Sequence, residues 1–279
     1  MITFEMEKLQ EPVTQYAVTQ NNLNVFLDRL KEVIINNKEL ISAVNKEDWK
    51  HNKKQIKIKE LVDIIERYRY IDTSNSKESE RKIVVYKGET YLSLHLCLQA
   101  YTQKTKIMAI SQSYMSGVNA IIFGIFNQVL KENNIFNLID NTTNFSMEDF
   151  QEIRKYYDSA IVIGDTTIYQ LLEKNEEKVK FYPYNNIAIY CEDESLKQLE
   201  EAIYIYANEN QYEIESIQSD ELEDVIGMIN NDKFKSMAVL ITQNDENREK
   251  FFYEIKNKEI FVNENPFKKE VGKIYNYLK

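Results

Sequence analysis

Two cysteines, two histidines and two polar strand ends are the groups in this 279-residue chain best suited to chemistry. Cys97 and Cys191 lie far apart, which fits neither a disulfide framework nor a zinc motif. With only His51 and His95, a histidine-rich metal site is excluded. Cys191 follows the apolar run Ile187–Tyr190 and precedes Glu192-Asp193-Glu194. Those carboxylates oppose thiolate formation and so work against a nucleophile there. Cys97 falls within an apolar helical pattern and reads as a core thiol. His95 is two residues away, and i, i+2 side chains do not share a helix face, so a Cys–His dyad is not expected. His51 sits among charged residues and reads as a solvated side chain.

The stretch Gly164-Asp165-Thr166-Thr167 follows an apolar strand and opens a helix. It has the form of a βα turn with an N-cap, and that position can also take a nucleotide or another anion. Ser111-Gln112-Ser113 follows a second strand in the same way, at the kind of carboxyl end where doubly wound sheets bind ligands. Ser111, Gln112, Gly164 and Thr166 are therefore the candidate cofactor-binding residues, with helix capping as their simpler role. The run Lys50–Lys59 is the one basic stretch, but no aromatic interrupts it, so it reads as a solvated face and not a nucleic-acid site.

These residues must be held by an alternation of strands and helices. Residues 1–20 read as an extended arm. Apolar residues then fall at helical spacing from Leu23 to Ile34, from Asn37 to Val44, and from Leu61 to Tyr68. Lys46–Lys54 reads as a solvated connection and Asp72–Arg81 as a flexible linker. Strands are expected at Lys82–Tyr86, Lys106–Ile110, Ile135–Ile139, Ala160–Ile163 and Val179–Tyr182, with helices between them. The same rhythm then repeats, with strands at Asn186–Tyr190, Tyr212–Ile217, Met237–Thr242 and Glu259–Val262. Strands separated by helices mean βαβ units and parallel sheets with right-handed crossovers. A domain boundary is expected near Lys180–Tyr184, giving a nucleotide-binding-type domain over 1–180 and a smaller α/β domain over 181–279.

Composition narrows the function. Hydrophobic residues make up 43% and charged residues 29%, which is globular. The net charge of −10 argues against nucleic-acid and anionic-membrane surfaces. Six glycines, against a usual share of about 7%, speak against a rich phosphate-binding loop. The N-terminus lacks the apolar core of a signal peptide. The longest apolar stretch, Val118–Phe126, is far below the ~20 residues that span a bilayer. A cytoplasmic protein in a reducing compartment is the expectation.

The order of the elements and their local words resemble the aldehyde dehydrogenase superfamily, nearest to its glutamyl-phosphate (glutamate-semialdehyde) reductase branch. Leu27–Asp48 looks like the first helices of that family. Val85–Ile110 looks like the strand, helix and strand beside the phosphate-side loop. Ile187–Ala202 (IAIYCEDESLKQLEEA) looks like the strand and helix that open the catalytic domain. Met237–Phe267, closing with Ile260–Phe267 (IFVNENPF), looks like the strand that follows the catalytic core. Such proteins join a nucleotide-binding domain to a catalytic domain with a cysteine nucleophile, and their chains are considerably longer. The shortening falls mainly after Glu213.

The resemblance places the family's functional positions one by one. The nucleophile word falls on Asn208-Glu209-Asn210-Gln211-Tyr212-Glu213, which keeps Gln211 but puts Glu213 at the cysteine position. A carboxylate cannot replace a polarizable thiolate. The position of the general-base glutamate is Phe181, which has no proton-transfer group. The ribose-binding lysine falls near Ile110–Gln112, where there is no lysine. The glycine loop falls on Gly164–Tyr169, keeping only its first glycine and placing Asp165 where a pyrophosphate would approach.

The resemblance with these losses implies a Rossmann-like doubly wound domain with a helical lead-in and a reduced second α/β domain. It also implies a truncated protein that binds or assembles without catalysis, as a homodimer or beside a full-length family member. No cofactor is expected under that reading, with NAD or NADP as the weaker possibility. The alternatives are an NAD(P)-dependent aldehyde or acyl-phosphate reductase with an altered site, and a nucleotide-sensing module without turnover.

Overall fold

Strand formation follows burial on both faces: in β1, Lys82–Tyr86 are all buried, as expected of parallel strands covered by helices. The computed structural model describes residues 9–48, 56–71, 80–87, 90–111, 116–143, 146–174, 178–183, 186–209, 213–219, 221–266 and 278. The chain divides into two compact units, Met1–Lys180 with Ile274–Lys279, and Phe181–Lys273.

The first unit begins with helices α1 (Gln20–Asn36), α2 (Lys38–Asp48) and α3 (Ile58–Arg67). The sheet is built from β1 (Arg81–Tyr86), β2 (Lys106–Ser111), β3 (Ile139–Thr142), β4 (Ser159–Ile163) and β5 (Val179–Tyr182). Between them run α4 (Thr90–Gln103), α5 (Ser116–Glu132), α6 (Met147–Arg154) and α7 (Thr166–Glu173). The strand order β3-β2-β1-β4-β5 is that of a doubly wound Rossmann-like sheet, whose order reverses between β1 and β4. Where the register is defined, β1 runs parallel to both β2 and β4, with Tyr86 opposite Ser111 on one side and Ile163 on the other.

Helices α1–α3 pack on α4 and α5 as a second helical layer. This explains why α4 is buried from Tyr91 to Thr102, with apolar residues all round. An aromatic column ties the layers together. Phe26 of α1 stacks on Tyr101 of α4 at 4.0 Å and meets Phe126 of α5 edge-on at 5.2 Å. Tyr16 of the N-terminal arm also stacks on Tyr101, at 5.4 Å, and donates to its carbonyl at 2.8 Å. Two strand lysines hold the terminal segments. Lys106, fully buried, donates to the carbonyls of Leu9 and Glu11 at 3.0 and 3.1 Å, and Lys82 donates to Leu278 O at 2.7 Å.

Two expectations need correction. The apolar run Ile135–Ile139 is not a strand: Asn134 and Asn137 take left-handed backbone (φ 57° and 61°), which bends the chain and breaks the run. The ladder starts at Ile139 and continues onto polar Asp140-Asn141-Thr142, as an edge strand with a wet face permits. Helix α2 also runs on to Asp48, into the stretch expected to be a solvated connection. Residues 72–79 of the expected linker, and most of the basic run, lie outside the described residues.

The second unit contains β6 (Asn186–Cys191), α8 (Lys197–Glu209), β7 (Glu213–Ser216), α9 (Leu222–Asn231), β8 (Met237–Ile241), α10 (Asp245–Glu254) and β9 (Glu259–Val262). All pairings are parallel, in the order β7-β6-β8-β9. One face of the sheet is covered by Val225, Ile226 and Ile229 of α9 and Phe251 of α10, the other by Ile203 of α8. The fold is therefore α/β and doubly wound in both units.

His95 gives this fold a pH dependence. Its ring is buried beside Tyr68, whose hydroxyl lies 3.3 Å from Nδ1. Burial, and then the charge of Arg67, lower its pKa from 6.5 to about 4. Between those values the unfolded chain binds a proton that the folded chain does not. Stability is therefore expected to fall by roughly 3 kcal/mol as pH drops through this window. Glu66 and Glu132, both held at about 2 by arginine partners, act only below 4.5. Urea midpoints measured across the upper window should flatten in His95→Gln.

Candidate functional site

The carboxyl edge of the first sheet, at its reversal point, is where this topology would bind a ligand. The structure brings Ser111 and Gly164 to that edge on either side of Tyr86. Ser111 and Ile163, the residue before Gly164, both pair with Tyr86 and so lie two strand spacings apart, about 9.5 Å. Gly164 turns the chain out of β4 with φ 75°, a left-handed conformation that favours glycine. Thr166 is the first residue of α7 and half-buried. Gln112 lies outside the described residues.

Each described member of this edge is already engaged. Ser111 is buried and accepts from Asn119 Nδ2 at 2.9 Å, while Tyr86 shares a 2.8 Å hydrogen bond with Ser93. These four side chains, two from strands and two from helices, form buried polar contacts between the sheet and the helices, and Asn119 Oδ1 among them lacks a partner. Asp165 is the N-cap of α7: its carboxylate accepts from Ile168 N at 2.9 Å. Tyr169 is buried and donates to Glu173 at 2.5 Å.

The second helix terminus on this edge is occupied as well. Asp48, at the end of α2, reaches the start of α5 and accepts from Val118 N at 2.8 Å. Its approach depends on Gly117, where an added Cβ would lie 2.8 Å from Asp48 Oδ1 and 2.9 Å from Val44. Amide groups at helix N-termini are the usual anchor for phosphates. Here α5 and α7 each give one such amide, Val118 N and Ile168 N, to a carboxylate of the same chain. A pyrophosphate approaching these two termini would meet the negative charge of Asp48 and Asp165.

Burial raises the pKa of both thiols. Cys97 is fully buried, which pushes its pKa well above the ordinary range. Cys191 is half-buried at the end of β6 and donates to Asp193 O at 3.4 Å. Burial raises its pKa first, then the charge of Glu200. Glu200 comes from α8, so the neighbouring acids of the sequence were the right kind of cause but not the main one. Phe181 packs edge-on against Phe234 at 5.3 Å, as a hydrophobic contact. Glu213 opens β7 opposite Asn186.

Sequence reasoning missed the polar latch at the carboxyl edge of the second sheet. There Glu192, after β6, accepts from the Thr242 hydroxyl and from Asn247 Nδ2 at 2.6 Å. Asn263, after β9, accepts from Thr242 N at 2.9 Å and donates to Thr242 O at 2.7 Å. Asn244 caps α10 through the amides of Glu246 and Asn247. The latch joins three strand ends, and the Glu192 carboxylate accepts from the side chains of Thr242 and Asn247, which ties the loops together. The only sequence signal was Thr and Asn just after strands. Among the described residues, no cluster of His, Cys, Asp or Glu is placed to hold a metal ion, and no helix is long and apolar enough to cross a membrane.

No protein-family model and no curated protein matches the chain. Solved structures do. A γ-glutamyl phosphate reductase from Thermotoga maritima is similar at TM-score 0.55 and 13% identity, covering 92% of this chain and 85% of that one. A glyceraldehyde-3-phosphate dehydrogenase from Methanocaldococcus jannaschii, complexed with NADP, is similar at TM-score 0.64 and 12% identity, covering 95% and 84%. An NADP-dependent glyceraldehyde-3-phosphate dehydrogenase from Bacillus halodurans, also complexed with NADP, is similar at TM-score 0.64 and 8% identity, covering 93% and 80%. With two doubly wound units in this order, the chain has the aldehyde dehydrogenase-like fold.

Proposed function

We propose that this chain is a catalytically silent protein of aldehyde dehydrogenase-like fold that acts by binding and assembly, as a homodimer or beside a full-length aldehyde dehydrogenase. The observation that carries this reading is the pair of carboxylates, Asp165 and Asp48, on the α7 and α5 N-termini. A hydride-transfer enzyme of this fold holds its nicotinamide cofactor with such groups, and here each terminus already carries a carboxylate on one of its amides. The thiols add support: one is buried, and the other is half-buried beside acids that disfavour thiolate.

Calorimetric titration with NAD and NADP tests the binding half. The expected result is no micromolar binding by the wild type. The plugs also predict a direction. Asp165→Ser combined with Asp48→Asn removes two negative charges from the edge while keeping polar caps. It should tighten whatever residual dinucleotide binding exists. Micromolar affinity in the wild type, weakened by Gly164→Val, would overturn the reading.

A further inference from the structure

A cavity of about 260 Å³ lies in the second unit between β7 and the C-terminal part of α9. Alternation along the strands builds its floor. Ala188 of β6 is in register with Glu215 of β7, and both turn toward the α9 face, because Ile187 and Ile214 pack on the opposite one. Ile217 shares the face of Glu215. The small Ala188 side chain leaves a space that Ile217, Met228 and Ile229 line with apolar surface.

Three charged side chains complete the lining: Glu215, Asp232 and Lys235. Lys235 comes from the turn between α9 and β8. It is nine-tenths buried, and its ammonium lies 2.8 Å from the carboxylate of Glu215, whose side chain is exposed. Asp232 accepts from Phe234 N at 2.7 Å, and its carbonyl accepts from Lys258. A buried ammonium held by an exposed, rotatable carboxylate is a charge that a ligand can take over.

We infer that this cavity binds a small apolar α-amino acid as its zwitterion. The ligand carboxylate takes Lys235 Nζ, its ammonium group takes the Glu215 carboxylate with Asp232 beside it, and its side chain meets Ile217, Met228 and Ile229. The volume is below the ~300–1,000 Å³ of pockets for drug-sized ligands, which suits a metabolite of this size.

Charge selects the class. Residues 181–273 hold 10 basic and 20 acidic side chains, so this unit carries all of the chain's net charge of −10. An anion without an ammonium group would push Glu215 off Lys235 and then face it, inside a strongly negative unit. An amine without a carboxylate would draw Glu215 away and leave Lys235 buried with its pair broken, which is costly. A zwitterion exchanges one ion pair for two. Carboxylates that accept hydrogen bonds favour a primary ammonium over a quaternary one, and a single lysine suits a carboxylate better than a doubly charged phosphate.

Calorimetric titration of the full chain with L-leucine, L-valine and L-methionine tests the inference. Saturable binding of at least one is expected, with Kd in the micromolar to low millimolar range. For L-leucine, 4-methylpentanoate lacks the ammonium group and 3-methylbutylamine lacks the carboxylate, and each should bind at least tenfold more weakly. Glu215→Gln, at an exposed position, should keep the far-UV circular dichroism of the wild type and weaken the amino acid tenfold or more. Lys235→Met, which keeps an apolar stem and removes the ammonium, should do the same. No heat, and no rise in the thermal midpoint, with any of the three amino acids at roughly 10 mM would overturn the inference. Analogues that bind as tightly as the amino acid would overturn the zwitterion, and binding unchanged in a folded Glu215→Gln would overturn the site.

Discussion

Replacing Phe26 with alanine is expected to cost about 3–5 kcal/mol, a large fraction of the stability of an ordinary domain. The ring is fully buried and is the middle of the column from Tyr16 through Tyr101 to Phe126. Its removal leaves a cavity between α1, α4 and α5, and buried α4 has no other surface onto which it can relax. The helical lead-in is thus part of the core of the first unit and not an appendage. Urea unfolding followed by far-UV circular dichroism should show the loss. Val25→Ala, one position away but exposed, should change stability by no more than about 0.5 kcal/mol. Equal effects at the two positions would mean that α1 does not dock as described.

The second large effect concerns the thiols. Cys97 is expected to react with iodoacetamide only through unfolding, at least about 10³-fold more slowly than a peptide thiol. It is fully buried, and burial opposes its ionisation. Cys191 should react measurably but several-fold more slowly than a peptide thiol near neutral pH, because burial and Glu200 keep it protonated. Glu200→Gln should speed the reaction at Cys191 and leave Cys97 unchanged. Mass spectrometry of the two peptides over time separates the rates. Alkylation of Cys191 faster than that of a peptide thiol would mark it as an activated nucleophile.

The strands were legible because parallel strands covered on both faces leave continuous apolar runs such as Ile83–Tyr86 and Val239–Ile241. The βα rhythm, and the glycine turn at Gly164, followed from the same signal. Two kinds of feature were not legible. Asn134 and Asn137 look like ordinary polar residues, yet their left-handed backbone moves β3 by four residues. Contacts distant in sequence also leave no local trace. Asp48 lies 70 positions from the amide it caps, and Glu192 lies 50 from Thr242. Asp48 belongs to a charged stretch that reads as solvated, and only the packing of α2 on α5 shows it as the plug of a helix terminus. The position of Ser111 and Gly164 at the carboxyl edge of the first sheet could therefore be read from sequence. Its occupation by the chain's own carboxylates could be half seen, through Asp165 alone.

The most direct test of catalytic silence is a hydride-transfer assay: the wild type at high concentration, NAD or NADP, and an aldehyde or acyl phosphate, with nicotinamide absorbance followed over hours. The predicted result is a rate indistinguishable from the buffer blank, and the same for Cys191→Ser. Steady turnover by the wild type that disappears in Cys191→Ser would contradict it.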